Sequence, residues 1–185
     1  MLASIPYVVD VVKGRVKPER ISWLLWAALG ATFFVGALQN DGAVLYTLGN
    51  LLIPVIIFVL SLKYGVGGKS WFDKICLVIA AVAFVLMFVV DNALYGLVLA
   101  LIVDAIGSIL TIRKLLKDRT SEPKLIWGVF AIAGILSIIA LENYSIVNLL
   151  FPVYVVIVDS IVFLIAKPRK DAKVSKSELS EIEKL

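Results

Sequence analysis

Two aspartates interrupt apolar stretches of this 185-residue chain: Asp104, twelve residues into the run Ala93–Ile112, and Asp159, near the end of the run Ile146–Ala166. Placing an ionised carboxylate in hydrocarbon costs at least about 2.5 kcal/mol, so such groups usually line a pathway or find partners inside a bundle. The nearest basic residue to Asp104 along the chain is Arg113, nine positions on. Asp104 is therefore read in two ways: as a group facing a central cavity, where it holds a polar substrate or a proton, or as a hydrogen-bonding anchor. Asp159 lies nearer a basic segment and is read as structural. Asn50 is one helical turn from both Tyr46 and Pro54, which places amide, phenol and proline on one helix face. That face either lines a pocket or supplies an interhelical hydrogen bond. Trp23 and Trp26, three residues apart, either anchor at a membrane interface or stack on a planar substrate. Tyr154 follows Pro152, which either breaks its helix beside a cavity or is a tolerated membrane proline. Substrate-binding candidates are thus Asn50, Asp104, Tyr46, Trp23, Trp26 and Tyr154.

Other chemistry is excluded or unsupported. The chain has no histidine, which removes imidazole metal sites and histidine-based catalysis, and no cofactor motif is present. Its one cysteine, Cys76, lies inside an apolar run and has no intrachain partner. An intramembrane aspartyl protease would need a Gly-x-Gly-Asp context. Here Asp104 precedes Ala-Ile-Gly and Asp159 precedes Ser-Ile-Val, so no enzyme is expected. The net charge of +4 comes from residues dispersed at the ends of apolar runs, and nucleic-acid binding needs a clustered basic face.

The elements that must position these residues are membrane helices. At 61% hydrophobic residues and a mean hydropathy of +1.01, the chain has too little polar surface to cover a soluble globule. Six runs approach the roughly 20 residues a span requires: Ile21–Leu38, Ala43–Leu62, Trp71–Val90, Ala93–Ile112, Leu125–Leu141 and Ile146–Ala166. A seventh segment, Met1–Val12, is too short to span and is expected to be a first helix missing its outer half. That leaves a groove for lipid or for a neighbouring copy in a homo-oligomer.

All 18 Lys and Arg residues fall into four clusters on alternate sides of these runs: Lys13–Arg20, Lys63–Lys74, Arg113–Lys124 and the tail from Lys167. The connections Gln39–Gly42, Asp91–Asn92 and Glu142–Ser145 contain none. Short basic loops stay cytoplasmic, so the expected location is the inner or plasma membrane, with the N-terminus outside and the C-terminus cytoplasmic. All four Trp residues (Trp23, Trp26, Trp71 and Trp127) fall at the expected cytoplasmic helix ends, as an interfacial belt would place them. In the tail, Ser175 to Glu178 has capping-box spacing ahead of Leu179, Ile182 and Leu185, so a short helix lying on the membrane is an alternative to disorder.

The chain also matches itself. A shift of 104 positions pairs Ser4 with Ser108, Lys13 with Lys117, Arg15 with Arg119, Trp23 with Trp127 and Gly30 with Gly134. The order of parts recurs as well: helix, basic loop, Trp-led helix, tight acidic loop, third helix. The expected fold is an all-α polytopic bundle of seven helices, two parallel three-helix repeats joined by one linking helix. The units are residues 1–64, a linker and connecting helix at 65–92, residues 93–167, and a tail at 168–185.

Ile5-Pro6-Tyr7, Lys13-Gly14-Arg15-Val16-Lys17, Ser22-Trp23, Asp41 and Asn50 resemble the three-helix unit of the SWEET, SemiSWEET and PQ-loop transporters. The Trp23-Leu24-Leu25-Trp26 segment is similar, more weakly, to vitamin transporters of the nicotinamide riboside type. With Leu141–Ser145 added, the nearest resemblance is to small bacterial membrane proteins of no assigned substrate. The resemblance implies a facilitator or transporter of a small polar solute working by alternating access, with Pro6, Pro54 and Pro152 as hinges. The family's Pro-Gln pair is replaced by Pro6-Tyr7 in one unit and Leu110-Thr111 in the other, and Val153 stands opposite Asn50. A non-transporting membrane scaffold or sensor of the same fold is the alternative.

Overall fold

The computed structural model describes residues 4–39 and 44–168. Among the described residues seven helices follow one another: α1 (Ile5–Val12), α2 (Arg20–Gln39), α3 (Val44–Tyr64), α4 (Trp71–Val89), α5 (Ala93–Lys117), α6 (Lys124–Ile139) and α7 (Ile146–Ile165). Among the described residues the only extended pairing is a single bridge between Glu19 and Val66. Five helices, α2 to α5 and α7, are long and apolar enough to cross a bilayer, and the chain is a multi-pass membrane protein. The 16 residues of α6 reach about 24 Å and the eight of α1 about 12 Å, both short of a hydrocarbon core about 30 Å thick.

The helix limits have local causes. Ser70 and Asp73 form a reciprocal capping box at the start of α4, and the Asn92 and Ser145 side chains accept backbone N–H groups at the starts of α5 and α7. Helix α5 runs five residues past the expected Ile112. Good helix formers continue there, and Lys114 and Lys117 suit the negative end of its dipole. Pro6 occupies the first turn of α1, where a missing N–H breaks no hydrogen bond, while Pro54 and Pro152 lie inside α3 and α7.

In the first half of the chain α3 packs against both α1 and α2, and in the second half α7 packs against both α5 and α6. The halves meet along α2 and α5, and α4 lies chiefly against α5. Two glycines make the closest crossings. A Cβ at Gly30 of α2 would come within 2.4 Å of the Asn50 carbonyl on α3, and one at Gly134 of α6 within 2.7 Å of Val156 on α7. Small residues let membrane helices approach this closely. The outward faces stay apolar, as on α4 with Val78, Val82, Val85 and Phe88, which suits contact with lipid.

The basic connections lie together at one end of the bundle. Arg20 donates to the carbonyls of Ser61 and Gly67 at 3.0 Å each, and Lys114 to the Lys17 carbonyl at 2.8 Å. Arg113 donates to Ser70 at 3.3 Å, and the Lys167 N–H to the Arg119 carbonyl at 2.8 Å. The alternation of charge along the sequence thus becomes a basic end and an acidic end. The tail with Ser175 and Leu179 lies outside the described residues, as do residues 40–43 of the first acidic connection.

Candidate functional site

Asp104 stands on the face of α5 that meets α7. Its Oδ2 accepts the Tyr154 hydroxyl at 2.6 Å and the Ser108 hydroxyl at 3.3 Å, and those two hydroxyls are 3.4 Å apart. The Trp26 indole reaches across from α2 to the same stretch of α5. Gly107 makes that approach feasible, since a Cβ there would sit 3.2 Å from the indole nitrogen. Asp159, buried on α7 five residues beyond Tyr154, is close enough to interact electrostatically with Asp104. No Lys or Arg among the described residues pairs with either acid. The arrangement offers a carboxylate held by neutral hydroxyl donors from α5 and α7. It can exchange a proton or trade those donors for the polar groups of a solute.

Three of the predicted residues, Asp104, Tyr154 and Trp26, therefore converge. Trp23 joins them through an aromatic row: Tyr7 to Trp23 at 5.0 Å between ring centroids, Trp23 to Trp26 at 4.9 Å, Trp26 to Trp127 at 6.0 Å, and Trp127 to Phe130 at 6.0 Å. The row corrects the belt reading for Trp23 and Trp127, which are buried within the bundle, and for Trp26, which stacks between them; only Trp71 is strongly exposed. Edge-on and tilted contacts of this kind contribute about 0.5–1.5 kcal/mol per pair beyond burial, enough to draw the rings inward. Asn50 is not brought to Asp104. Its backbone carbonyl abuts Gly30 while its side chain is exposed and makes no hydrogen bond among the described residues. Tyr46 lies on α3 with its side chain outside the described set.

The sequence reading missed two buried glutamates at the basic end. Glu122 is 2% exposed, and its Oε1 accepts the Tyr7 hydroxyl at 3.2 Å and pairs with Lys114, while Oε2 accepts the Trp127 indole N–H at 3.0 Å. Glu19 is 3% exposed, and its Oε2 accepts the Ser22 N–H at 2.7 Å. The Ser22 hydroxyl accepts from Thr111 at 3.0 Å and lies within donating distance of Glu19 Oε2, at 2.9 Å, and of the Gly107 carbonyl, at 2.6 Å. Tyr7 and Thr111 each reach from one half of the chain to the other half's glutamate, Thr111 through Ser22. A signal existed in the sequence: Pro18-Glu19 and Glu122-Pro123 stand in basic loops shortly before Trp23 and Trp127.

Two cavities open at the basic end, of about 160 Å3 and about 100 Å3, and neither reaches Asn50 or Asp104. No group of three or more Cys, Asp or Glu side chains converges as a metal site among the described residues. Comparison with protein-family models, with curated proteins and with solved structures finds no match to this chain.

Proposed function

We propose that the protein is a transporter or facilitator of a small polar solute, of SWEET-like or PQ-loop-like plan, working by alternating access around Asp104. The observation that carries this reading is the carboxylate of Asp104 deep in a membrane bundle, with hydroxyl donors from α5 and α7 and no cation paired with it among the described residues. Intramembrane acids in such surroundings mark substrate and proton pathways. The like packing of α1, α2 and α3 and of α5, α6 and α7 supports two parallel repeats, and the Gly30 and Gly134 crossings fall at corresponding places. Under this reading the basic end is cytoplasmic and closed, Tyr154 and Ser108 hold Asp104 in a resting position, and Pro54 and Pro152 are the points where α3 and α7 bend.

Uptake into proteoliposomes, screened over sugars, amino acids and vitamins with and without a pH gradient, tests the proposal. Once a solute is found, Asp104→Asn is expected to abolish accumulation driven by the pH gradient while sparing equilibrative exchange. Unchanged accumulation at equal protein level would reject the coupling role. Orientation is tested separately in a Cys76→Ser background: Glu142→Cys is expected to react with an impermeant thiol reagent outside intact cells and Lys117→Cys to stay unlabelled.

A second reading has its own observation. Asp104 is closely hydrogen-bonded and neither cavity touches it, which suits a scaffold or sensor in which the acid ties α5 to α7. In that case Tyr154→Phe lowers stability and no solute moves.

A further inference from the structure

Asp73, Glu122, Glu19 and Asp104 each accept at least one side-chain or backbone hydrogen bond. Asp159, only 8% exposed on the membrane-spanning α7, receives no hydrogen bond and no ion pair among the described residues. The basic residues at the adjoining ends of α5 and α6 are committed elsewhere. Arg113 pairs with Asp73 at 2.8 Å, Lys114 pairs with Glu122, and the Lys124 ammonium lies over the Phe163 ring, 4.5 Å from its centroid. Ionised, Asp159 is an uncompensated charge, and neutral, its hydroxyl lacks an acceptor. Either form needs a partner that hydrocarbon does not supply.

The surroundings decide what that partner is. Asp159 shares a face of α7 with Val162, which is fully buried in one apolar cluster with Trp127, and Trp26 packs against that cluster. Asp104 and Tyr154 lie close enough to Asp159 to interact with it electrostatically. The Tyr154 and Ser108 hydroxyls are already spent on Asp104. An anion or a sugar would ask this region for free donors. A cation meets two carboxylates and aromatic rings instead, both of which attract it. If it also carries N–H groups, it satisfies the Asp159 oxygens as hydrogen-bond acceptors.

Resting on the transport reading of the same bundle, we propose that the solute is a small organic cation bearing N–H groups, an alkylammonium or a guanidinium, and that Asp159 is its counter-charge. Its alkyl part leaves water against the Trp26 and Trp127 side of the bundle. Neither basic-end cavity is lined by Asp159, so the cation enters as α7 moves, and Pro152 stands two turns before Asp159 on that helix.

Full-length protein in neutral detergent, in amine-free buffer at an ionic strength fixed with sodium chloride, is titrated with butylammonium, methylguanidinium or butanol. Binding is read from tryptophan fluorescence and melting temperature. At least one of the two cations is expected to shift both signals, and the neutral butanol neither. Asp159→Asn, which removes the charge at constant size, weakens the response about tenfold or more, and Asp159→Glu keeps it. The comparison of cation with butanol is made on the wild type and holds whatever the fold of a variant. No response to either cation, an equal response to butanol, or a full response in folded Asp159→Asn overturns the proposal. A bound cation that proteoliposomes do not take up keeps the site and rejects transport. Uptake of a neutral sugar without any response to the cations keeps transport and rejects this site.

Discussion

Helix α2 buries Ile21, Ser22, Trp23, Leu25, Ala27, Leu29 and Gly30 in its first half, and none of the residues from Ala31 to Gln39 is buried in its second. Helix α6 repeats the pattern, with Ile126, Trp127, Ala131 and Gly134 buried and none from Ile135 to Ile139. The basic end also carries the cross-links: Glu122 with Tyr7, Lys114 and Trp127, and Glu19 with Ser22 and, through it, Thr111. Among the described residues at the acidic end the side-chain bonds are local, such as Asn92 on Leu94 and the Asn148 amide on the Asn143 carbonyl at 3.0 Å. The difference shows that apolar matching alone does not hold membrane helices together, because lipid is as apolar as leucine. Buried polar partners and stacked rings decide where the bundle is tight.

The largest expected effect comes from removing one partner of the buried ion pair. Glu122→Ala leaves Lys114 without its buried counter-charge and should destabilise the protein by about 3–5 kcal/mol. Glu142→Ala, at the exposed acidic end, should leave the melting temperature unchanged. Equal losses in the two variants would show that the ends do not differ as described.

A smaller contrast lies within one helix. Gly30→Ala drives a methyl group to within 2.4 Å of the Asn50 carbonyl and should cost about 1–3 kcal/mol as α2 and α3 separate. Gly36→Ala, six residues on, meets nothing within 4 Å among the described residues and should be neutral or gain up to about 1 kcal/mol from helix propensity. Denaturant titration in detergent micelles measures both.

The smallest effect is a pH dependence. Glu19 is raised above its ordinary range in the folded state by burial, against Ser22 and Lys114 and with Asp73. Between the ordinary carboxylate value and the raised one, the folded protein holds a proton that the unfolded chain has released. Stability contributed by this group is full below the ordinary carboxylate value and is lost as pH rises through the folded one. Glu19→Gln should flatten that part of the stability profile, and an unchanged slope would assign it to another group.

Much of the fold could be read from the residues because membrane helices announce themselves by length and hydropathy. The six expected runs match α2 to α7 within a residue or two at most limits, and Met1–Val12 contains the eight-residue α1. The collection of basic loops at one end followed from their spacing alone. The candidate site was half legible: an aspartate in an apolar run stands out by its desolvation cost, and so Asp104 was visible. Its partner Tyr154 was named for its neighbour Pro152, not for the hydroxyl that meets Asp104.

What only the tertiary structure decided were the relations between helices far apart in sequence. A tryptophan at a helix end reads as an interfacial anchor until the neighbouring helices show that Trp23, Trp26 and Trp127 stack on one another. A glutamate in a basic loop reads as a solvated charge until Tyr7, 115 residues away, is seen to bond it. Sequence determines which segments must leave water, since that cost is summed residue by residue. Which polar groups satisfy one another inside depends on the crossings of whole helices, here set by Gly30, Gly107 and Gly134, and no local pattern encodes that geometry.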